Sequence, residues 1–429
     1  MVRWPRRLPQ LLTLMLVVQL GCLVLWGVTW PRPPVTLSFV VPEEEVLIWQ
    51  QVVKGFEQQH PNLRILPVSK PAETYTTDQR QAIYSADLQT ARLQNTSTQH
   101  DLVYMDTVWT RQFADELADL SGFVAKSGLE LSDFVESELA VGRDGDALYR
   151  LPMRADVGVL YYRKDLLAAL GYDQLPANWV ALQPALTQKN LQGYLWQGST
   201  YEGLVVNFVE ALAALGGTWI DRETGQVGLG EPAAIQAATL LRQLIDQGVS
   251  PEQVTNYTED SSLAAFLVGN AMFLRGWPYF WQIIQTEAPF ADQVAMAPPF
   301  ASVSPPGAGC RGGWGFGIPK RSAHPQAAWE AIQYLTSEPV QRAFVRASGF
   351  LPSRRSLFTD TEIVAVHPYM PDFLNYLDHA SVFRPALVQY EQASQILSTA
   401  LGEVLRGESA TLAMERAAQE TDRLLSGAV

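Results

Sequence analysis

Two cysteines and five histidines are all that the 429 residues contain, and that scarcity excludes whole classes of chemistry. Cys22 sits in an apolar N-terminal run and Cys310 stands alone in the body of the chain, so no internal disulfide framework is available. His60, His100, His324, His367 and His379 are scattered without the spacing of zinc ligands, and no metal site is expected. Charge is also sparse: 17% of residues are charged against 47% hydrophobic, which reads as well-packed globular protein. The net charge is -13, and no basic block occurs beyond the first seven residues, which excludes nucleic acid as a partner.

Enzyme signatures are missing as well. There is no nucleophile elbow centred on serine, no zinc-protease helix and no Walker loop. Gly307, Gly309 and Gly312 have the glycine spacing of a dinucleotide site, but the run follows Pro305 and Pro306 instead of a strand and opens no helix. It reads as a loop, and no cofactor is expected. Internal repeats and low-complexity segments are also lacking.

What is present begins with a leader. Arg3, Arg6 and Arg7 precede Leu11 to Trp30, a run without charged residues that Pro31, Arg32, Pro33 and Pro34 close. A positive start and an apolar stretch make an export signal. The run is also long enough to stay as a membrane anchor, since about 20 apolar residues span a bilayer. Leu20, Gly21 and Cys22 resemble the end of a lipoprotein cleavage box, with Gln19 where an aliphatic residue is usual, so Cys22 is a lipidation candidate. Either tether places the body outside the cytoplasm.

The body is longer than one hydrophobic core usually organises, so two domains are expected. Val35, Leu37, Phe39 and Val41 alternate as a strand, and Ile48, Trp49, Val52, Val53 and Phe56 follow at helical spacing. Leu63 to Val68 predicts a second strand, Asp78 to Leu93 a helix and Leu102 to Met105 a third strand. Two β-α-β units in a row predict a parallel sheet in an α/β fold. Open α/β sheets bind ligands beyond the carboxyl ends of their strands, which is where Glu43, Glu44 and Glu45 follow the first strand and Asp106 the third. Their ordinary structural role would be helix capping.

Further along, Gly142 to Asp146 predicts a hairpin turn. Leu148 to Pro152 and Val157 to Tyr162 predict strands crossing a domain boundary, with Asp156 between them. Helices are expected at 164–170, 205–215, 232–247, 262–268, 325–335, 338–347, 388–405 and 411–425, and short strands at 294–297 and 315–318. Two aromatic runs, Phe273 to Trp281 and Arg311 to Gly317, read as glycine-loosened loops offering tryptophan faces. A sugar suits such a site, because its C–H face stacks on indole and its hydroxyl rim needs carboxylates and arginines. Asp106 and Asp156 also admit a glycosidase reading, in which a carboxylate pair hydrolyses the glycoside.

Six segments carry a wider likeness: Asp101 to Trp109, Gly158 to Asp165, Trp196 to Leu204, Gly276 to Tyr279, Gly312 to Trp314, and Arg384 with Pro385. On these the chain resembles the family 1 extracellular solute-binding proteins of ABC sugar transporters, nearest to the branch that binds trehalose, maltose, sucrose or glucosylglycerol. The resemblance implies a non-enzymatic receptor with a two-lobe periplasmic binding protein fold of type II, like that of maltose-binding protein. Its lobes, 35–156 plus 314–351 and 157–313 plus 352–429, would follow a leader of 1–34 and join through a three-crossing hinge.

It also implies ligand-binding roles for Glu45, Arg80, Asp106, Asp156, Tyr201, Glu202, Trp277, Gly313, Trp314 and Arg384. Arg154 stands where the disaccharide binders carry a tyrosine, and it too is expected in the cleft, beside Asp156. The partners implied are a small neutral glycoside, permease subunits and, through the anchor, the periplasmic side of the inner membrane, for a monomer. A sensor that contacts a signalling receptor fits the same likeness.

Overall fold

The computed structural model describes residues 33–69, 76–176, 192–221, 224–299 and 308–427. Residues 1–32, with Cys22 and the expected leader, lie outside the described residues. No described helix is long and apolar enough to cross a membrane.

The chain opens as its alternation predicts. Strand β1 (Val35–Val40) leads through a 3-10 turn, Glu43–Glu45, into a helix, Val46–Gln59, and returns as β2 (Leu63–Val68), parallel to β1. The helix Thr77–Gln94 and β3 (Val103–Asp106) follow. Here the expectation of a continuing parallel sheet needs correcting. β3 lies beside β1, with the Leu102 N–H donating to the Ser38 carbonyl at 3.3 Å, but its ladder is antiparallel, to a strand some two hundred residues later. Local periodicity cannot reveal such a partner, because the pairing is set by a late return of the chain.

After the hairpin β4 (Arg143–Asp144) and β5 (Ala147–Leu148) come β6 (Leu151–Val157) and β7 (Val159–Arg163), separated by Gly158 alone. Asp156 therefore lies within β6, not between two strands. β7 belongs to a second sheet, ordered β10-β7-β9-β8, that also contains β8 (Gln192–Leu195), β9 (Ala271–Gly276) and β10 (Val294–Ala297). The chain then returns to the first body through β11 (Gly309–Gly317), the centre of a sheet with β3, β6, β12 (Leu351–Pro352) and β13 (Ser381–Val382). The glycine-rich segment 309–317 is thus a buried strand, not a loop, and the expected strand at 315–318 is only its end. Continuous burial on both faces hides strand alternation.

Each body has its own helical cover. Helices Glu338–Ser348 and Pro325–Leu335 pack on Val46–Gln59, while Glu202–Ala214, Pro232–Asp246, Tyr390–Leu405 and Ala410–Ser426 pack together, the first of them also against β11 and β13. Two helices start three residues before the expected position, at Glu202 and at Glu259 in Glu259–Leu267; in the second the first turn, Glu259, Asp260 and Ser261, is polar and carries no hydrophobic stripe. The first core is aromatic. Phe39 meets Trp49, Tyr104 and Phe316 edge to face at 5.2, 5.9 and 5.2 Å between ring centres, contacts of about 0.5–1.5 kcal/mol each beyond the area they bury.

Candidate functional site

Between the two bodies lies a cavity of about 460 Å³. Its first wall follows from the register of β11. Trp314 is directly opposite Asp106 on β3 and Arg154 on β6, and Gly312 is opposite Asp156. Because side chains two apart on a strand share a face, Arg154 and Asp156 both reach the cavity. Gly312 has no side chain for a physical reason: a Cβ there would press on the Trp277 ring at 3.2 Å and on the Asp156 Cβ at 3.3 Å. At Gly313, φ is +134°, a conformation open to glycine, and a Cβ would approach Glu138 Oε2 at 2.7 Å.

Helix geometry supplies the next residues. Glu45 lies four residues before Trp49, so its Oε2 accepts from the indole N–H at 3.0 Å while Oε1 accepts from Arg154 Nη2 at 3.0 Å. Arg154 pairs with Glu45 more closely than with Asp156, whose Oδ2 is 3.8 Å away, and it lies over the Phe350 ring at 3.5 Å. The expected partnership with Asp156 is therefore secondary. Arg80 is buried, 3.9 Å over Trp314, and among the described residues its side chain makes one hydrogen bond, a long one from Nη2 to Thr77 Oγ1 at 3.4 Å. Arg80 Nε and Nη1, Arg154 Nε and Nη1, and Asp156 Oδ1 have no hydrogen-bond partner among the described residues. Buried donors and acceptors left open in a cavity are what a ligand would satisfy.

The opposite wall carries Trp277, just past β9, and Glu259. Glu259 was not expected, although Thr258 and Ser261 form a capping box around it that the sequence spacing displays. Its Oε2 accepts from the Tyr201 hydroxyl at 2.6 Å and its Oε1 from the Trp277 indole N–H at 3.4 Å. Asp260, Tyr279 and Phe350 also line the space and were likewise missed as site residues.

Three expected site residues stand behind the wall rather than on it. Tyr201 reaches Glu259, and Arg384 bridges Asp106 Oδ1 (2.8 Å) and Glu202 Oε1 (2.6 Å). Glu202 also accepts from the hydroxyls of Tyr390 and Ser394. Asp106 lines the cavity, but its Oδ1 already takes the Thr107 hydroxyl, the Val108 N–H and Arg384. The two tryptophans differ similarly. Trp314 is 6% exposed and has Arg80 on its ring, so it supports the guanidinium, whereas Trp277 is half-buried on the cavity wall.

Burial, reinforced by the neighbouring Glu45, Glu138 and Asp106 and opposed by Arg154, pushes the Asp156 carboxyl up to about 7. Burial and the adjacent Glu259 raise Asp260. The Cys310 thiol is pushed up to about 12 by burial, which keeps it protonated and inert. Among the described residues no group of three or more acidic, histidine or cysteine side chains is placed to hold a metal ion.

Residues 42–342 match the bacterial extracellular solute-binding protein family. The chain belongs to that family. It is 30% identical over 324 residues to a protein of Deinococcus radiodurans named Probable ABC transporter-binding protein, covering 72% of this chain and 76% of that one. The structure of maltose-bound MalE3 from T. maritima superimposes with a TM-score of 0.84 at 28% identity, covering 91% of this chain and all of that one. A solute-binding protein from Agrobacterium radiobacter K84 in complex with ribitol shares the fold, with a TM-score of 0.80 at 21% identity over 92% of this chain and 100% of its own. The protein therefore has the two-lobe periplasmic binding protein fold and is a non-enzymatic solute-binding component.

Proposed function

We propose that this solute-binding protein captures a small, neutral, hydroxyl-rich glycoside, such as trehalose, sucrose, maltose or glucosylglycerol, and presents it to the permease of an ABC importer. The observation that carries the reading is the composition of one cavity. The indole of Trp277 faces the unpartnered donors of Arg80 and Arg154 and the unpartnered acceptor Asp156 Oδ1. A neutral sugar uses all three, since its hydroxyls both donate and accept while its C–H face stacks. A cavity of about 460 Å³ is within the usual range of about 300–1,000 Å³ for small ligands. The maltose bound to MalE3 supports a glycoside ligand, and the transporter in the name of the Deinococcus relative supports the importer role.

In this reading the lobes 35–156 plus 314–351 and 157–313 plus 352–429 close on the sugar, which stabilises the closed state by contacts to both. Residues 11–30 or a lipid on Cys22 hold the monomer on the periplasmic side of the inner membrane. Calorimetry on the chain from Val35 onward, against the four glycosides, tests the proposal. Heat and a change in tryptophan emission are expected with at least one; heat only with an amino acid or a metal would overturn it.

Asp156 adds a pH dependence. A hydroxyl donating to Oδ1 favours the carboxylate, so binding lowers a pKa that is about 7 in the free protein. Below that pH the carboxyl must first lose its proton. Affinity should rise with pH and level off above about 7, with binding about tenfold weaker at about pH 5.5 than at about pH 8. Asp156→Asn should flatten the profile. Affinity that falls as pH rises would mean that the protonated carboxyl is the donor.

A further inference from the structure

Behind the Trp277 platform lies a buried ion pair that lines no part of the cavity. Arg275, on β9, is 1% exposed, and its guanidinium forks onto Glu210 in the helix Glu202–Ala214: Nη2 to Oε1 at 2.6 Å and Nε to Oε2 at 3.2 Å. The same guanidinium lies 4.2 Å from the centre of the Trp277 ring. Glu210 Oε1 also accepts the Cys310 N–H at 2.9 Å, at the start of β11. Gly158, the one residue between β6 and β7, presses on the pair from another side: a Cβ there would overlap both Glu210 Oε1 and Arg275 Nη2. Gly158 and Cys310 are themselves joined, N–H to carbonyl, at 3.0 Å.

The pair thus touches the indole and two of the connections by which the chain passes between the two bodies, the β6–β7 junction at Gly158 and the start of β11 at Cys310. A salt bridge in a core gains little stability over a well-packed apolar pair. Its geometry here does something an apolar pair would not, because a planar fork fixed at both ends sets the plane of the ring stacked on it.

We propose that Arg275, fixed by Glu210, is the positioning residue of the ligand platform. It holds the Trp277 ring in a defined orientation relative to β11 and the β6–β7 junction, so that the ring meets the sugar only when Gly312 and Asp156 are in place beside it. The role of Trp277 as platform rests on the proposed function; the orientation of its ring by Arg275 does not.

The experiment uses the double variant Glu210→Gln with Arg275→Met, which removes both charges together, and Arg275→Lys, which keeps the cation but loses the fork. Emission anisotropy and acrylamide quenching of Trp277 are isolated by subtracting a matched Trp277→Phe background, and calorimetry measures Kd for the best of the four glycosides. Both variants should lower the Trp277 anisotropy and increase its quenching, and Kd should rise about tenfold or more in the double variant. Gly158→Ala, whose methyl displaces the pair, should reproduce the effect.

As a control, Arg163→Met with Asp165→Asn removes a fork of the same kind that lies on Phe290 instead. It should leave the Trp277 signal unchanged. A Trp277 signal in Arg275→Lys and the double variant that equals the parent's, or that moves no more than in the control, would overturn the proposal. If the parent binds none of the glycosides, the proposed function fails while the anisotropy still decides the positioning role.

Discussion

Arg384→Met will lower the unfolding free energy by about 3–5 kcal/mol, the usual cost of removing one member of a buried charge network. Arg384 is 4% exposed and lies between Asp106 and Glu202, at 2.8 and 2.6 Å. Without it two buried carboxylates face each other across the position it filled. Their remaining partners, the Thr107 hydroxyl and Val108 N–H on one side and Tyr390 and Ser394 on the other, are hydrogen-bond donors without charge. Urea unfolding of the chain from Val35 onward measures the loss, and the midpoint should fall without a change in slope. An unchanged midpoint combined with an affinity at least tenfold weaker would show that Arg384 touches the ligand and that the network account is wrong.

Trp277→Ala is expected to weaken glycoside binding by about 2 kcal/mol or more, the size of an aromatic hot spot, with a modest loss of stability. Trp314→Ala should do the reverse. Trp314 is packed against Tyr104 at 5.1 Å and Trp109 at 5.2 Å under Arg80, so its removal leaves a core cavity and costs about 3–5 kcal/mol of stability. Its affinity effect should be smaller and should come through Arg80, which loses the surface it lies on. Paired calorimetry and unfolding of the two variants decide the matter. Equal affinity losses with equal stabilities would mean that both rings stack on the sugar.

Much of the first body was legible. Val35 to Val41 and the helix carrying Trp49 have clean periods because each buries one face, and β1 and β2 pair in parallel as expected. Legibility stopped at β11. Gly309–Gly317 contains four glycines besides Gly309 and is buried along its whole length, so neither alternation nor propensity marks it as a strand. The two neighbours that carry site residues, β3 and β6, are remote in sequence. The register of that strand is what puts Asp106, Trp314 and Arg154 in one row.

The sequence by itself determined the α/β class, the likeness to solute-binding proteins, and the residue types of the site, because composition, local periodicity and short motifs are properties of neighbours along the chain. Which of those residues meet the cavity was decided by tertiary structure. Glu202 and Arg384 have the chemistry of ligand contacts, yet they are spent on each other and on Asp106, Tyr390 and Ser394, since a buried charge is stable only beside its complement. Glu259 looks like an ordinary first-turn carboxylate, and it enters the site only because β9 brings Trp277 beside it. Hydrogen bonding between segments far apart in the chain makes that selection, and no local pattern records it.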